Sequence, residues 1–165
     1  MPQLPEGLRN GFVLSLPQKS LFVGLTPDLR AGFPSFIQLH SPDRLPNGAP
    51  SWEDRENPVC FEIEGKLMEP ACGPTLFDSG GSRTKFGVDG LPKALRDGKF
   101  LREGRVLKAW CKGVFNWRFT AGKREIVVER GSQTGEADYI LGLPFFRTHD
   151  VMYDLEIGLI GVRTP

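Results

Sequence analysis

The residues best suited to chemistry stand together at Asp78-Ser79-Gly80-Gly81-Ser82. A short apolar run, Pro74 to Asp78 (PTLFD), leads into them and predicts a fully buried strand. The strand delivers a carboxylate, and the two glycines that follow let the backbone turn sharply. Asp78 is thereby expected at a loop tip directly after the core, a place suited to a functional carboxylate. Taken by itself, the same string also fits an Asp that caps a turn. Other candidates carry less. His40 and His149 have no Ser or Cys partner in a nucleophilic arrangement and read as surface or strand-end residues. Trp110 and Trp117 read as core or sheet-face residues. Cys60, Cys72 and Cys111 are an odd count, lack a CxxC spacing, and allow one disulfide at most. No metal-ligand spacing is present, so neither a metal nor another cofactor is expected.

The elements that must position Asp78 are short and apolar, separated by turn signals. Gly11 to Leu16 and Ser20 to Leu25 flank Pro17-Gln18-Lys19 and predict a hairpin. Phe36 to His40 is a further strand, and residues 41–58, rich in Pro, Asn, Gly and charge, read as a long surface loop. Val59 to Leu67 alternates apolar and polar residues around a turn at 65–66. Residues 91–97 (LPKALRD) predict a short helix with Pro92 in its first turn. Val106 to Trp110 follows, and then Val114 to Thr120 and Glu125 to Glu129, read as a hairpin around Ala121-Gly122-Lys123. Asp89-Gly90 and Asp97-Gly98 read as turns, and 130–138 as a polar loop. Three apolar segments, YILGLPFF, VMYDL and IGLIGV, close the chain. The pattern suggests about ten strands with one or two short helices.

Composition agrees. The 165 residues make one domain by size. Gly (20) and Pro (14) supply about a fifth of them, which excludes a helical bundle. With 39% apolar residues and 12 Phe, disorder is excluded too. A net charge of +1 provides no field to draw the chain to nucleic acid or an anionic membrane. The basic stretch 93–108 reads as a solvated face, with nucleic-acid contact the lesser reading. No apolar run approaches the roughly 20 residues of a membrane span, and the start, MPQLPEGLRNG, lacks signal-peptide features.

The segment Tyr139-Ile140-Leu141-Gly142 changes the weight given to Asp78. Phe145-Phe146-Arg147, Val151-Met152-Tyr153-Asp154 and Ile157-Gly158-Leu159-Ile160-Gly161-Val162 follow it in order. With Leu76-Phe77-Asp78-Ser79-Gly80 upstream, this resembles one lobe of the pepsin-like aspartic peptidases, most like their C-terminal lobe. That family carries apolar-apolar-Asp-(Thr/Ser)-Gly in each lobe and a later apolar-apolar-Gly segment behind the catalytic loop. The likeness is specific at 75–82 and 139–162 and loose at 11–70. It implies an all-β single lobe of the acid-protease fold over 1–165, a closed or orthogonal barrel, with 1–10 a flexible or pairing segment.

The resemblance implies a mechanism in which two aspartates share one proton across a water. The ionised one takes the water's proton while the protonated one polarises the scissile carbonyl. Asp78 would be one of the two, Ser79 would bond across to the opposite loop, and Gly80 would turn the backbone toward the carboxylate. Leu141 and Gly142, with Gly81 and Ser82, would support the loop. Two departures stand out. Gly81 occupies a position where pepsin-like lobes usually place a hydroxyl that bonds the carboxylate. One Asp-(Ser/Thr)-Gly occurs, so the second aspartate must come from a symmetric copy, as in retroviral-type enzymes, or from an N-terminal lobe. The expected partners are a protein or peptide substrate and that second lobe, with no nucleic acid and no membrane. The alternative is a non-catalytic binding or structural lobe that keeps the fold. Family members often carry a disulfide near Cys111, but the partner position here holds no Cys. Free thiols and a cytoplasmic location are therefore expected.

Overall fold

The structure is a computed structural model, and it describes residues 5–46, 48, 50–53, 58–64, 71–88, 91–129 and 139–165. The expected turns at 65–66 and 89–90, the 130–138 loop and residues 54–57 of the long loop lie outside the described residues. The chain groups into two compact units. One comprises Met1–Glu56, Gly113–Phe115 and Phe146–Pro165; the other comprises Asn57–Lys112 and Asn116–Phe145.

In the first unit, β1 (Gly11–Ser15) and β2 (Ser20–Val23) form the expected hairpin. A short helix, α1 (Pro27–Ala31), starts at Thr26, whose hydroxyl accepts the Leu29 amide at 3.2 Å. β3 (Phe36–Gln38) follows. The 41–58 segment is not all loop. β4 (His40–Arg44) and β5 (Pro50–Glu53) pair antiparallel, because their prolines fall where pairing tolerates them: Pro50 starts β5, and Pro42 lies within the register shift between His40 and Asp43.

The second unit opens with β6 (Val59–Ile63) and β7 (Ala71–Gly73), antiparallel neighbours in which Cys60 faces Cys72. Their sulfurs form a disulfide, with Cα atoms 4.0 Å apart. The expectation of free thiols is thus corrected for Cys60 and Cys72: strand register brings together two residues that a count of cysteines leaves apart. Cys111 is free and buried. β8 (Thr75–Phe77) and β9 (Thr84–Gly87) bracket Asp78. β8 is not buried on both faces, since Leu76 between Thr75 and Phe77 is 45% exposed. Its burial alternates, with Thr75 and Phe77 on the covered face and Leu76 on the open one.

The helix expected over 91–97 is a single 3₁₀ turn, Lys93–Leu95, followed by β10 (Arg96–Asp97) and β11 (Phe100–Leu101). The turn with left-handed Gly98 closes a tight hairpin, which competes with a helix too short to sustain itself. β12 (Val106–Cys111) and β13 (Phe115–Thr120) come next, then β14 (Ile126–Glu129). The hairpin expected between 114–120 and 125–129 does not form. β13 lies beside β12 in a four-stranded sheet, whereas β14 runs between β11 and β9 in a six-stranded one. Ala121 is tied instead to Arg105 and Gly104 by backbone hydrogen bonds of 2.8 Å each, which redirects the chain.

β15 (Tyr139–Leu141) completes the six-stranded sheet, ordered β10-β11-β14-β9-β15-β8, and leads into the short α2 (Leu143–Phe146). β16 (Asp150–Asp154) and β17 (Leu159–Arg163) return to the first unit, where the sheet order is β2-β1-β16-β17-β3. The described residues hold 17 strands against about ten expected, because several are only two or three residues long. The core of the first unit gathers Val13, Leu25, Phe33 and Met152. In the second, Phe61 stacks on Phe86 at 5.2 Å and on Tyr139 at 5.5 Å, while Phe145 meets Phe77 and Trp117 edge-on. The Trp117 expectation of a core role holds. His149 stands at a strand end, directly before β16, and is buried rather than on the surface, packed against Phe115 and in contact with the Thr148 hydroxyl at 3.0 Å. No helix among the described residues is long and apolar enough to cross a membrane.

Candidate functional site

Asp78 sits one residue beyond β8, half-buried, at the start of a turn through Ser79 and Gly80. The Gly80 amide donates to Asp78 Oδ1 at 2.9 Å, and the Gly81 amide to the Asp78 carbonyl at 3.1 Å. Oδ2 accepts no hydrogen bond from the described residues. One carboxylate oxygen is therefore fixed by the backbone and the other is open. A Cβ on Gly81 would lie 2.8 Å from Oδ2, so the missing side chain leaves that oxygen room.

The loop is clamped from behind. β15 runs parallel to β8 with Leu141 opposite Phe77, and the Leu141 carbonyl accepts the Asp78 amide at 3.0 Å. The Leu143 amide donates to the Gly81 carbonyl at 2.7 Å. Gly142 passes so close that a Cβ there would collide with the Arg83 carbonyl and lie 2.6 Å from the Gly81 carbonyl oxygen. Only glycine fits. The structure thus brings Asp78, Gly80, Gly81, Leu141 and Gly142 into one constellation. Ser79 and Ser82 are exposed, and their hydroxyls make no hydrogen bond among the described residues.

Thr84 completes the clamp and has no counterpart in the sequence reading. Wholly buried, it places Oγ1 3.3 Å from the Gly142 amide, which donates to it. Its signal is a hydroxyl residue at the start of β9, on the same face as the buried Phe86, a position where a hydroxyl needs a partner. No group of three His, Cys, Asp or Glu among the described residues is arranged to hold a metal. What the arrangement offers is one rigid, partly open carboxylate. It can exchange a proton or hydrogen-bond a water or carbonyl, and it cannot by itself form a carboxylate pair.

No protein-family model and no curated protein sequence matches the chain. Solved structures do. Basic 7S globulin from soybean superposes with a TM-score of 0.56 at 15% identity, over 96% of this chain and 51% of that one. Conglutin gamma, a basic 7S globulin from lupine seeds, gives 0.54 at 16% identity, over 96% and 52%. An aspartic proteinase from Irpex lacteus gives 0.52 at 17% identity, over 93% and 56%. The chain spans about half the length of these structures. It has the all-β, pepsin-like fold of one lobe.

Proposed function

We propose that this chain supplies one half of an aspartic endopeptidase site, with Asp78 as its carboxylate. The observation that carries the reading is the asymmetric carboxylate. Oδ1 is held by the Gly80 amide, Oδ2 is open, and the loop beneath is locked by Leu141, Gly142 and Thr84. A catalytic acid or base must be held still in a productive orientation. The Irpex lacteus proteinase of the same fold supports the assignment. The second carboxylate comes from a symmetric copy or from another lobe, and the exposed Ser79 hydroxyl is available to bond to it across the pair. Two carboxylates that face each other across one water share a single proton. The ionised one takes a proton from water as the water attacks the peptide carbonyl, and the protonated one hydrogen-bonds the carbonyl oxygen. The edge strand β2, with Leu21, Phe22 and Val23 exposed, provides an apolar strand for pairing.

A second reading is a binding lobe that keeps this fold without the chemistry. Gly81 favours it, because no hydroxyl bonds Asp78 Oδ2, and so do the basic 7S globulins of like fold. One comparison separates the two. Under the first reading, the self-associated protein cleaves unfolded substrate protein at acidic pH, pepstatin blocks it, and Asp78→Asn abolishes it. A protein that sediments as a dimer yet shows no pepstatin-sensitive cleavage supports the binding lobe.

A further inference from the structure

We propose that the cationic pocket around Phe100 binds an acidic, extended peptide segment. A cavity of about 360 Å³ opens beside Phe100, with Arg102, Lys123 and Arg124 among its walls. That volume is in the range that accommodates a ligand. The Phe100 ring is the focus of three cations: the Arg83 guanidinium lies 5.4 Å from its centroid, that of Arg124 5.6 Å, and the Lys99 ammonium 6.0 Å. A second cavity of about 420 Å³ adds Lys93 and Arg96 and shares Asp97 with the first. Seven cations thus border the two cavities and the ring, against two carboxylates, Asp97 and Glu103. The local excess is five positive charges on a chain whose net charge is +1.

Most of these cations are not neutralised by the fold. Among the described residues, Arg83, Arg102, Lys123 and Arg124 make no ion pair. Lys99 reaches Glu129 only at 3.8 Å, and Glu129 already holds Lys85 at 3.1 Å. Arg83 is instead aimed by a backbone contact: its Nε donates to the Arg124 carbonyl at 3.1 Å. Like charges gathered on one ring repel each other, and an anion placed among them removes that cost. Arg124 adds an independent sign. Its φ is +59°, a left-handed conformation that glycine adopts without penalty and other residues rarely do. A side chain kept at such a position at conformational cost suggests a use for that side chain.

The ligand's class follows from the surroundings. Guanidinium groups match carboxylates bidentately. β10, which carries Arg96 and Asp97, is the outer strand of the six-stranded sheet among the described residues, and its outer edge can pair with an extended peptide backbone. Asp97 and Glu103 among the cations repel a continuous phosphate backbone, whereas a peptide spaces its carboxylates and can avoid them. The assignment is independent of the chemistry at Asp78.

Fluorescence anisotropy with a labelled alternating glutamate–valine peptide tests this on the full chain. The expected result is saturable, salt-sensitive binding that weakens roughly tenfold or more in Arg83→Gln/Arg124→Gln. Arg124→Gly removes a charge while easing the backbone, so it should weaken binding yet unfold no earlier than the parent. Asp78→Asn should bind as the parent does. The proposal is overturned if the double variant binds the peptide equally well. It is also overturned if the glutamine–valine counterpart binds as tightly, or if a single-stranded oligonucleotide of equal charge binds more tightly than the peptide.

Discussion

The Asp78 amide donates to the Leu141 carbonyl at 3.0 Å, so the residue with the open carboxylate is held by a strand from much later in the chain. The bond extends the parallel β8–β15 ladder one step past Phe77. It fixes the backbone of Asp78, while the Gly80 amide fixes one oxygen of its side chain. A loop tip that could otherwise move becomes part of a sheet.

Gly142→Ala tests the clamp. The new methyl would meet the Arg83 and Gly81 carbonyls, backbone atoms of the loop itself. We expect a loss of about 3 kcal/mol in urea unfolding, the upper part of the usual overpacking range. Gly80→Ala meets only Asp78 Oδ1, at 3.3 Å, and should cost under about 1 kcal/mol. Equal costs would mean that the Gly142 contact does not hold the loop.

The Cys60–Cys72 disulfide closes a short loop between β6 and β7. Constraining a loop of this length stabilises a protein by about 3 kcal/mol. The Cys60→Ser/Cys72→Ser variant should lose about that amount under non-reducing conditions. Peptide mapping without reduction should join the two segments and leave Cys111 alkylatable after unfolding. A disulfide of this kind persists in an oxidising compartment, which counts against the cytoplasmic expectation.

The candidate site was legible because its determinants are local and chemically distinctive. An apolar strand ending in Asp-Ser-Gly and a Leu-Gly pair each carry their own signal, and the structure joins them. The β1–β2 hairpin was legible for the same reason. What could not be read depended on which distant strand pairs with which. The turn at Ala121-Gly122-Lys123 has the composition of a hairpin loop, yet backbone bonds between Ala121 and the Gly104-Arg105 pair send β13 and β14 to different sheets. Cys60 and Cys72 meet only through register, and Thr84 matters only because Gly142 passes over it. Propensity acts within a few residues, and none of these three contacts does.

Arg163 and Asp150 provide a test in the first unit. Arg163 Nε lies 3.0 Å from Asp150 Oδ2, a carboxylate with no solvent exposure, and the guanidinium stacks over Phe33 at 4.6 Å. A terminal nitrogen also donates to the Gly32 carbonyl at 3.3 Å. Arg163→Ala leaves a buried carboxylate without its cation and should cost about 3 kcal/mol. Asp150→Asn in the same background should recover part of that loss, since the amide carries no charge to bury. Two additive losses would show that the pair does not interact.

Cys111 sets an alkaline limit. Burial pushes its thiol above the ordinary value of 9.0, because the thiolate is poorly solvated inside the second unit. The folded state therefore holds its proton at a pH where the unfolded chain has released it. Above the ordinary value the unfolded state binds fewer protons, so stability falls as pH rises. Below it, the contribution is complete. Urea midpoints measured from neutral to strongly alkaline pH should thus decline more steeply for the parent than for Cys111→Ala, with the two curves parallel below pH 9.0. Parallel curves throughout the alkaline range would mean that Cys111 ionises as readily folded as unfolded.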